Sequence, residues 1–436
     1  MPTYDLSALR DERTILANPH RGWYWHYIDC GYQRPRYRDD EALIGDVSAF
    51  PGLTMLYLRF DWVDVNPEKG VYDFSYLDQV MDEWGRKGYR FGMRMCTYQG
   101  PIRRWGNNGY AAPAYLRESG AKGAFTGDES WEPDYGDPLF LAYAEETLQR
   151  LGEHYDGDPR LEYFDVGTFG NFGEGHTRQA VYPEDILQRH IRMTADAFPH
   201  TRVLINDDML HHNKAVQESL TAFCLERGLG IRDDSICVSG PARNGVTYDT
   251  LREPEIFDRF RDAAPVDIEF AHAELCPEDC WRGGFAALEA LRRTGATYAG
   301  FHDYPGRFLK NNPDFAEYAA NRLGYWFRPD ALTLDADGRG SVKLTNLGWA
   351  RSYRAFPLRL RLVPESGAPV DLGCIGTAEG WQPQQTATWD FCADLSAVEK
   401  GNYGLQLGLF DLDGSPLRMA LQGYEDGWYP VGNFGV

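Results

Sequence analysis

Residues 53–96 read LTMLYLRFDWVDVNPEKGVYDFSYLDQVMDEWGRKGYRFGMRMC. An apolar run at 53–60 gives way to a turn-rich polar stretch, then to SYLDQVMDEWGRKG with the texture of an amphipathic helix, then to a second apolar run at 89–96. The helical stretch closes on glycine, as helix C-termini prefer. Strand, helix and strand in that order make one β-α-β unit, and repetition of the unit decides the fold.

The same alternation extends in both directions. Strand-like segments fall at 21–27, 53–60, 89–96, 161–167, 202–207, 235–240, 266–272 and 297–303, with helix-like segments such as PLFLAYAEETLQRLGEHY and PEDILQRHIRMTADAF between them. Eight β-α pairs predict an α/β protein built on a (β/α)8 TIM barrel, and the absence of GxGxxG after the first strand argues against a doubly wound dinucleotide fold. Past YAANRLGYWFRPDAL, alternating strands separated by Gly, Asp and Pro replace the helices, which predicts a small all-β sandwich. The expected domains are a catalytic barrel at 1–328 and a C-terminal β-sandwich at 331–436.

With 65 acidic against 44 basic residues the formal net charge is -21, which repels phosphate backbones and makes nucleic acid a poor partner. No apolar run is long enough to span a bilayer, so no membrane partner is expected. The start MPTYDLSALRDERTILANPHRG lacks the basic and apolar parts of a secretory signal, and reads as cytoplasmic, although a trimmed secreted form would look the same. The eight cysteines form no paired CxxC pattern and are expected as buried free thiols; Cys276 and Cys280 make a lone CxxxC. Neither a metal nor another cofactor is called for, and a homo-oligomer is compatible with the sequence.

Barrel chemistry sits just past the C-terminal ends of the strands. There, FDVGTFGNFGEGHT at 164–177 ends a strand in closely spaced glycines carrying Asn171, Glu174 and His176. The glycines are expected to let the backbone turn tightly and lift Glu174 over the barrel mouth. The fifth strand contributes Asn206, Asp207 and Asp208, the seventh Glu269, His272 and Glu274, and the eighth His302 and Asp303. Two carboxylates facing each other across a sugar are the minimum for glycoside hydrolysis, and Glu174 with Glu274 is the natural pair; Glu269 is the rival on the seventh strand. Asn171, His176, Asn206, Asp207, His272, His302, Asp303 and Arg59 are expected to bind substrate. Trp105 and Trp131, in the aromatic insertion after the third strand, are expected to form a wall of the cleft.

Resemblance adds to this reading. Residues 59–95 resemble the second-strand segment of the clan-A glycoside hydrolases, particularly the β-galactosidase-like ones, with a Trp, an acidic-Pro-Gly turn and YDF before the helix. NPHRGWY near the start, GNFGEGH after the fourth strand and NRLGYWF before the sandwich resemble a bacterial family of β-galactosidase-like barrels with a C-terminal β-sandwich. The resemblance implies a retaining enzyme acting on a β-linked oligosaccharide or polysaccharide, with acid/base Glu174 and nucleophile Glu274. Where clan-A enzymes carry Asn-Glu, this sequence has Gly173-Glu174, so the contact to the sugar 2-hydroxyl falls to Asn171 or Asn206.

Two other functions fit the same residues. A metal-dependent hydrolase or lyase would draw on Asp207, Asp208, His211, His212, His176, His272 and His302, although no HxH or HExxH pattern is present. A carbohydrate-binding barrel without catalysis would follow if either glutamate lay outside the pocket.

Overall fold

A computed structural model describes residues 2–100, 111–126, 130–177, 180–236, 254–272 and 282–436. Contacts divide the chain into two compact units: one takes residues 23–294 and 298–316, the other residues 1–22, 295–297 and 317–436.

The first unit is built on a closed barrel of eight strands. In chain order they are β1 Gly22–Asp29, β2 Leu53–Asp61, β3 Arg90–Cys96, β4 Leu161–Asp165, β5 Arg202–Asn206, β6 Gly230–Ile236, β7 Val266–His272 and β8 Ala296–His302. Every pairing resolved from β1 round to β7 is parallel. Seven strands lie where the alternation of sequence places them. The sixth is a correction: it was expected at 235–240 and runs Gly230–Ile236. GIRDDSI does not read as a buried strand, because its Arg232 is a buried charge paired with Asp267 of the neighbouring strand rather than an apolar side chain.

Odd and even positions along β1 face different surroundings, as the period of a strand requires. Trp23 packs edge-on against Phe50, Phe270, Phe301, Phe308 and Phe315, joining β7 and β8 to the helices Pro305–Asn311 and Pro313–Ala320, and its Nε1 donates to Ala316 O at 3.1 Å. The neighbouring Tyr24 instead joins Tyr57, Tyr163 and Tyr298, with Met55 and Leu204, in a core drawn from β1, β2, β4, β5 and β8. Such a cluster lies inside the barrel. Glycines on intervening strands make room for it: a Cβ on Gly300 would sit 1.9 Å from the Tyr24 ring, and one on Gly92 2.6 Å from that of Tyr163.

Outside the barrel, helix Pro138–Tyr155 shows how sequence sets a helix. Asp137 caps it by accepting from the backbone of Leu139 and Phe140, Pro138 fits the first turn, and Phe140, Ala144, Leu148, Leu151 and Tyr155 form its buried stripe. Each large apolar side chain on that stripe contributes on the order of 1.5–3 kcal/mol as an upper bound. Between β3 and this helix the insertion holds a short helix Ala114–Glu118 and the antiparallel pair Gly123–Phe125 and Trp131–Pro133.

The second unit has a sheet of Thr3–Asp5, Phe327–Leu334, Arg339–Asn346 and Thr386–Cys392, and a sheet of Val370–Thr377, Pro357–Pro364, Asn402–Phe410, Pro416–Leu417 and Tyr429–Gly435. Leu358, Leu360 and Leu362 face Leu409, Leu407 and Leu405 in register. They share one core with Leu332, Leu334, Val342 and Leu344 of the other sheet, the arrangement of a β-sandwich. Of the described cysteines, Cys30, Cys96 and Cys224 are buried free thiols as expected, whereas Cys374 and Cys392 are exposed on sandwich strands. No described helix is long and apolar enough to cross a membrane.

Candidate active site

The inward positions of the barrel carry a second pattern. Two residues beyond each interior tyrosine or its glycine counterpart comes a polar or charged side chain: Tyr24 then His26, Tyr57 then Arg59, Gly92 then Arg94, Tyr163 then Asp165, and Tyr298, Gly300, His302. Register places Asp29 beside Arg59, Arg59 beside Arg94, and Arg94 beside Asp165 on successive parallel strands. The barrel is therefore floored with tyrosine and carries charge above it. Tyr57 donates to Asp165, and Tyr163 donates to Asp267 Oδ2 at 2.9 Å, which satisfies these two buried hydroxyls.

Arg59 sits at the centre of the upper layer. Its Nε and Nη2 donate to Asp29 Oδ1, the former at 3.1 Å, and its Nη1 donates to Glu174 Oε1 at 2.9 Å. Arg94 binds Asp165 Oδ2 through Nε at 3.2 Å and Nη2 at 3.1 Å, with its Nη1 4.0 Å from Glu174 Oε1. Arg232 donates to Asp267 Oδ2 at 2.6 Å and to Glu269 Oε2. Glu269 Oε1 meets His302 Nε2 at 2.6 Å, and the other ring nitrogen of His302 lies 3.7 Å from Asp29 Oδ2. A continuous chain of polar contacts thus runs from Glu174 through Arg59, Asp29 and His302 to Glu269, all of it buried.

Charge follows from these contacts. Burial alone would raise the pKa of Glu269, but Arg232 and His302 reverse that and hold it well below the usual carboxylate range. Asp29 is treated alike, burial being outweighed by Arg59 and His302. His302 runs the other way: burial pulls it down, Glu269 and Asp29 pull it up, and the net shift is upward. His26 and His272 are pushed well below the ordinary histidine value by burial and by His302.

Glu174 reaches this network because the chain after β4 doubles back. Asn171–Gly173 forms a single 3-10 turn, Asn171 N donates to His176 O at 2.8 Å, and Glu174 N donates to Asn171 O at 2.9 Å. Gly175 has φ 86°, and a Cβ there would meet Met209 N at 2.6 Å, so the turn requires glycine. Phe172 is left-handed at φ 55°, held there by Tyr98, Arg94 and Cys96, with the Arg59 guanidinium 5.7 Å from its ring centroid.

Residues 39–204, a span that includes β2, Arg59 and Glu174, match the glycoside hydrolase family 42 profile described as beta-galactosidase. Beta-galactosidase BbgII of Bifidobacterium bifidum is 31% identical over 109 residues, covering 25% of this chain and 15% of that protein. Beta-galactosidase BgaB of a Geobacillus species is 25% identical over 109 residues and covered to 16%. Over that span the chain is similar to beta-galactosidases, and its barrel is a closed ring of eight strands. The aligned span is about a sixth of the curated relatives' length. Among solved structures, the cold-adapted beta-galactosidase of Rahnella sp. R3 aligns with a TM-score of 0.44 at 12% identity, covering 75% of this chain and 59% of that one. Xylanase10C of Cellvibrio japonicus aligns with a TM-score of 0.42 at 10% identity, over 72% of this chain and 65% of that one.

Of the residues singled out from sequence, the barrel brings Arg59, Glu174, His272 and His302 into or against the network. His272 packs its ring 4.1 Å from that of His302 and shares a hydrogen bond of 2.7 Å with the Tyr37 hydroxyl. His176 turns to Asp208, 2.9 Å away, with His212 4.0 Å from the same carboxyl group. Asn206 caps helix Asp207–His211 by accepting from Asp208 N at 3.0 Å, and Asp207 is buried in that first turn. Asn171 is buried, and its Oδ1 takes no hydrogen bond. Asp303 accepts from Arg307 Nε at 2.5 Å and from Tyr304 N at 2.7 Å. Trp131 is buried in the insertion's strand pair, against Gly123 and under Arg117. Glu274 and Trp105 lie outside the described residues. Asp29, His26, Asp165, Arg232 and Asp267 entered through the structure alone. The two-residue step from an interior tyrosine or glycine to a polar side chain marks His26, Asp165 and Arg232, whereas Asp29 and Asp267 carry no such signal.

Proposed function

We propose that this chain is a retaining glycoside hydrolase acting on a β-linked oligosaccharide or polysaccharide, with Glu174 as acid/base and a carboxylate of β7 as nucleophile. The observation that carries the reading is the polar chain joining Glu174 to Glu269. A nucleophile must be ionised, and the surroundings of Glu269 keep it so. That favours Glu269 as the β7 carboxylate, while Glu274 lies outside the described residues. In the double displacement, Glu269 attacks the anomeric carbon while Glu174 protonates the leaving oxygen; Glu174 then deprotonates the water that releases the sugar.

Arg59 Nη1 donates to Glu174 Oε1 at 2.9 Å. Because Nε and Nη2 of Arg59 remain on Asp29, a sugar hydroxyl that displaces Nη1 leaves the guanidinium anchored and frees Glu174 to carry a proton. The deciding experiment is trapping with a 2-fluoro-β-galactoside bearing a good leaving group, followed by peptide mass spectrometry. Label on Glu269 supports the assignment, label on Glu274 moves the nucleophile, and an unlabelled chain with no turnover of any aryl β-glycoside refutes the reading.

A further inference from the structure

Five linked carboxylates, Asp29, Asp165, Glu174, Asp267 and Glu269, face three guanidiniums, Arg59, Arg94 and Arg232, and all eight are buried. Buried charge is tolerated when paired, and this group is two positive charges short. Next to the deficit lie two buried imidazoles. His26 and His302 stack with ring centroids 3.5 Å apart and planes 26° apart. Among the described residues, neither ring nitrogen of His26 makes a hydrogen bond, its Nε2 lying 3.7 Å from Glu269 Oε2, nor do Asp29 Oδ2 and His302 Nδ1.

Two kinds of positive charge fit such a place, a divalent cation or a proton. One ligand atom from each of His26, Asp29 and His302 falls within 4.8 Å of the others, as a metal would need. The stacking argues against it. Ring lone pairs lie in the ring planes, so nearly parallel rings send them side by side, whereas zinc requires nitrogens converging on one point at about 2.0–2.1 Å. A proton has no such requirement. His302 already has Glu269 Oε1 at hydrogen-bond distance, 2.6 Å, from one nitrogen, and a carboxylate oxygen of Asp29 lies 3.7 Å from the other, so each nitrogen of a doubly protonated ring faces a carboxylate.

We propose that His302 is a positioning residue that stands as an imidazolium between Asp29 and Glu269, fixing the orientation and the charge of the β7 carboxylate. His26 is its neutral stacking partner. Among the described residues, the groups facing His302 are Asp29 and His26 from β1, Glu269 and His272 from β7, and the Tyr37 ring 6.2 Å away; Arg232 acts through Glu269 and Arg59 through Asp29. The two carboxylates favour the proton, while the neighbouring histidines stay neutral. The part concerning Glu269 as a reacting group rests on the proposed glycosidase reading; the protonation of His302 does not.

The test separates the two. Long-range proton–nitrogen spectra of the full chain labelled with 15N-histidine, with the His302 signal assigned by its loss in His302→Gln, should show both ring nitrogens protonated at pH 7. In Glu269→Gln the midpoint of that titration should fall by about one to three pH units. A neutral His302 at pH 7, a midpoint unmoved in Glu269→Gln, or stoichiometric zinc in the purified chain overturns the proposal. If His302→Gln does not fold, Glu269→Gln against wild type still decides it by the shift of one histidine signal. On an aryl β-glycoside, His302→Gln should lower kcat more than it changes KM and move the acidic limb of the kcat/KM profile upward by about one unit, because Glu269 loses a neighbouring charge. An unmoved acidic limb overturns the positioning role. A wild-type chain inactive on every glycoside refutes the glycosidase reading and leaves the spectra to stand by themselves.

Discussion

Arg59 and Asp29 are register partners across the β1–β2 ladder, and the guanidinium that grips Asp29 with two nitrogens reaches Glu174 with the third. One side chain therefore pairs with two buried carboxylates, one at the end of β1 and one on the loop after β4. Arg59→Met should cost on the order of 3–5 kcal/mol at pH 7 in urea unfolding, because both carboxylates lose their partner. Asp29 is depressed in the folded state, so its share is complete above its unfolded value of 3.8 and disappears as pH falls through the folded one. The mutational difference should accordingly shrink below pH 4. Arg59→Lys should not restore stability, since an ammonium cannot span both partners in a fork. Equal unfolding midpoints for wild type and Arg59→Met would show the pairing to be incidental.

Glu174→Gln should keep most of its rate on aryl glycosides with good leaving groups and lose it on unactivated sugars, which need protonation. Glu269→Gln should abolish turnover on every substrate. Near-normal activity of Glu269→Gln together with loss in Glu274→Gln would place the nucleophile at Glu274, and full activity of Glu174→Gln on an unactivated glycoside would remove the two-carboxylate mechanism.

Much of this was legible in the sequence. Seven strands announce themselves by β-branched, aromatic and leucine runs, and the glycines around Glu174 predicted a tight turn at the place where Gly173 and Gly175 take left-handed backbone. What sequence concealed was the barrel interior. Arg232 and Asp233 make β6 look like a loop, and Asp29, Asp165 and Asp267 look like solvated strand ends, because their partners lie tens to hundreds of residues away. The pairing that renders such charges buriable is a property of closure, and closure is not written in any one window. His26 was hidden for the same reason, lodged inside an aromatic run that reads as plain core.

Gly300→Ala should destabilise the chain by about 1–3 kcal/mol or more, since the added methyl would overlap the Tyr24 ring and the floor has no slack. Gly92→Ala should act in the same direction against Tyr163. Differential scanning calorimetry is the direct check. Unchanged melting in both variants would mean that the interior is loosely filled.

His190 offers a pH prediction that leaves the proposed site alone. It is buried on helix Glu184–Ala197, between the Thr168 hydroxyl at 2.8 Å and Tyr135 O at 3.0 Å, and burial pushes its pKa down to about 4. The unfolded chain takes up this proton near pH 6.5 and the folded chain does not, so stability is present above 6.5 and is lost as pH falls towards 4. The loss should reach about 3 kcal/mol. His190→Gln should flatten that part of the stability curve; an identical slope in the variant would assign it to other groups.

The tyrosine floor also makes the molecule an optical reporter of its own integrity. Tyr24, Tyr57 and Tyr163 have their ionisation pushed well above the ordinary tyrosine value, chiefly by burial. In an alkaline titration followed by ultraviolet absorbance, these rings stay dark while surface phenols turn to phenolate. Their signal then arrives as one abrupt step when the barrel opens, so a simple absorbance trace separates ionisation of the exterior from collapse of the interior.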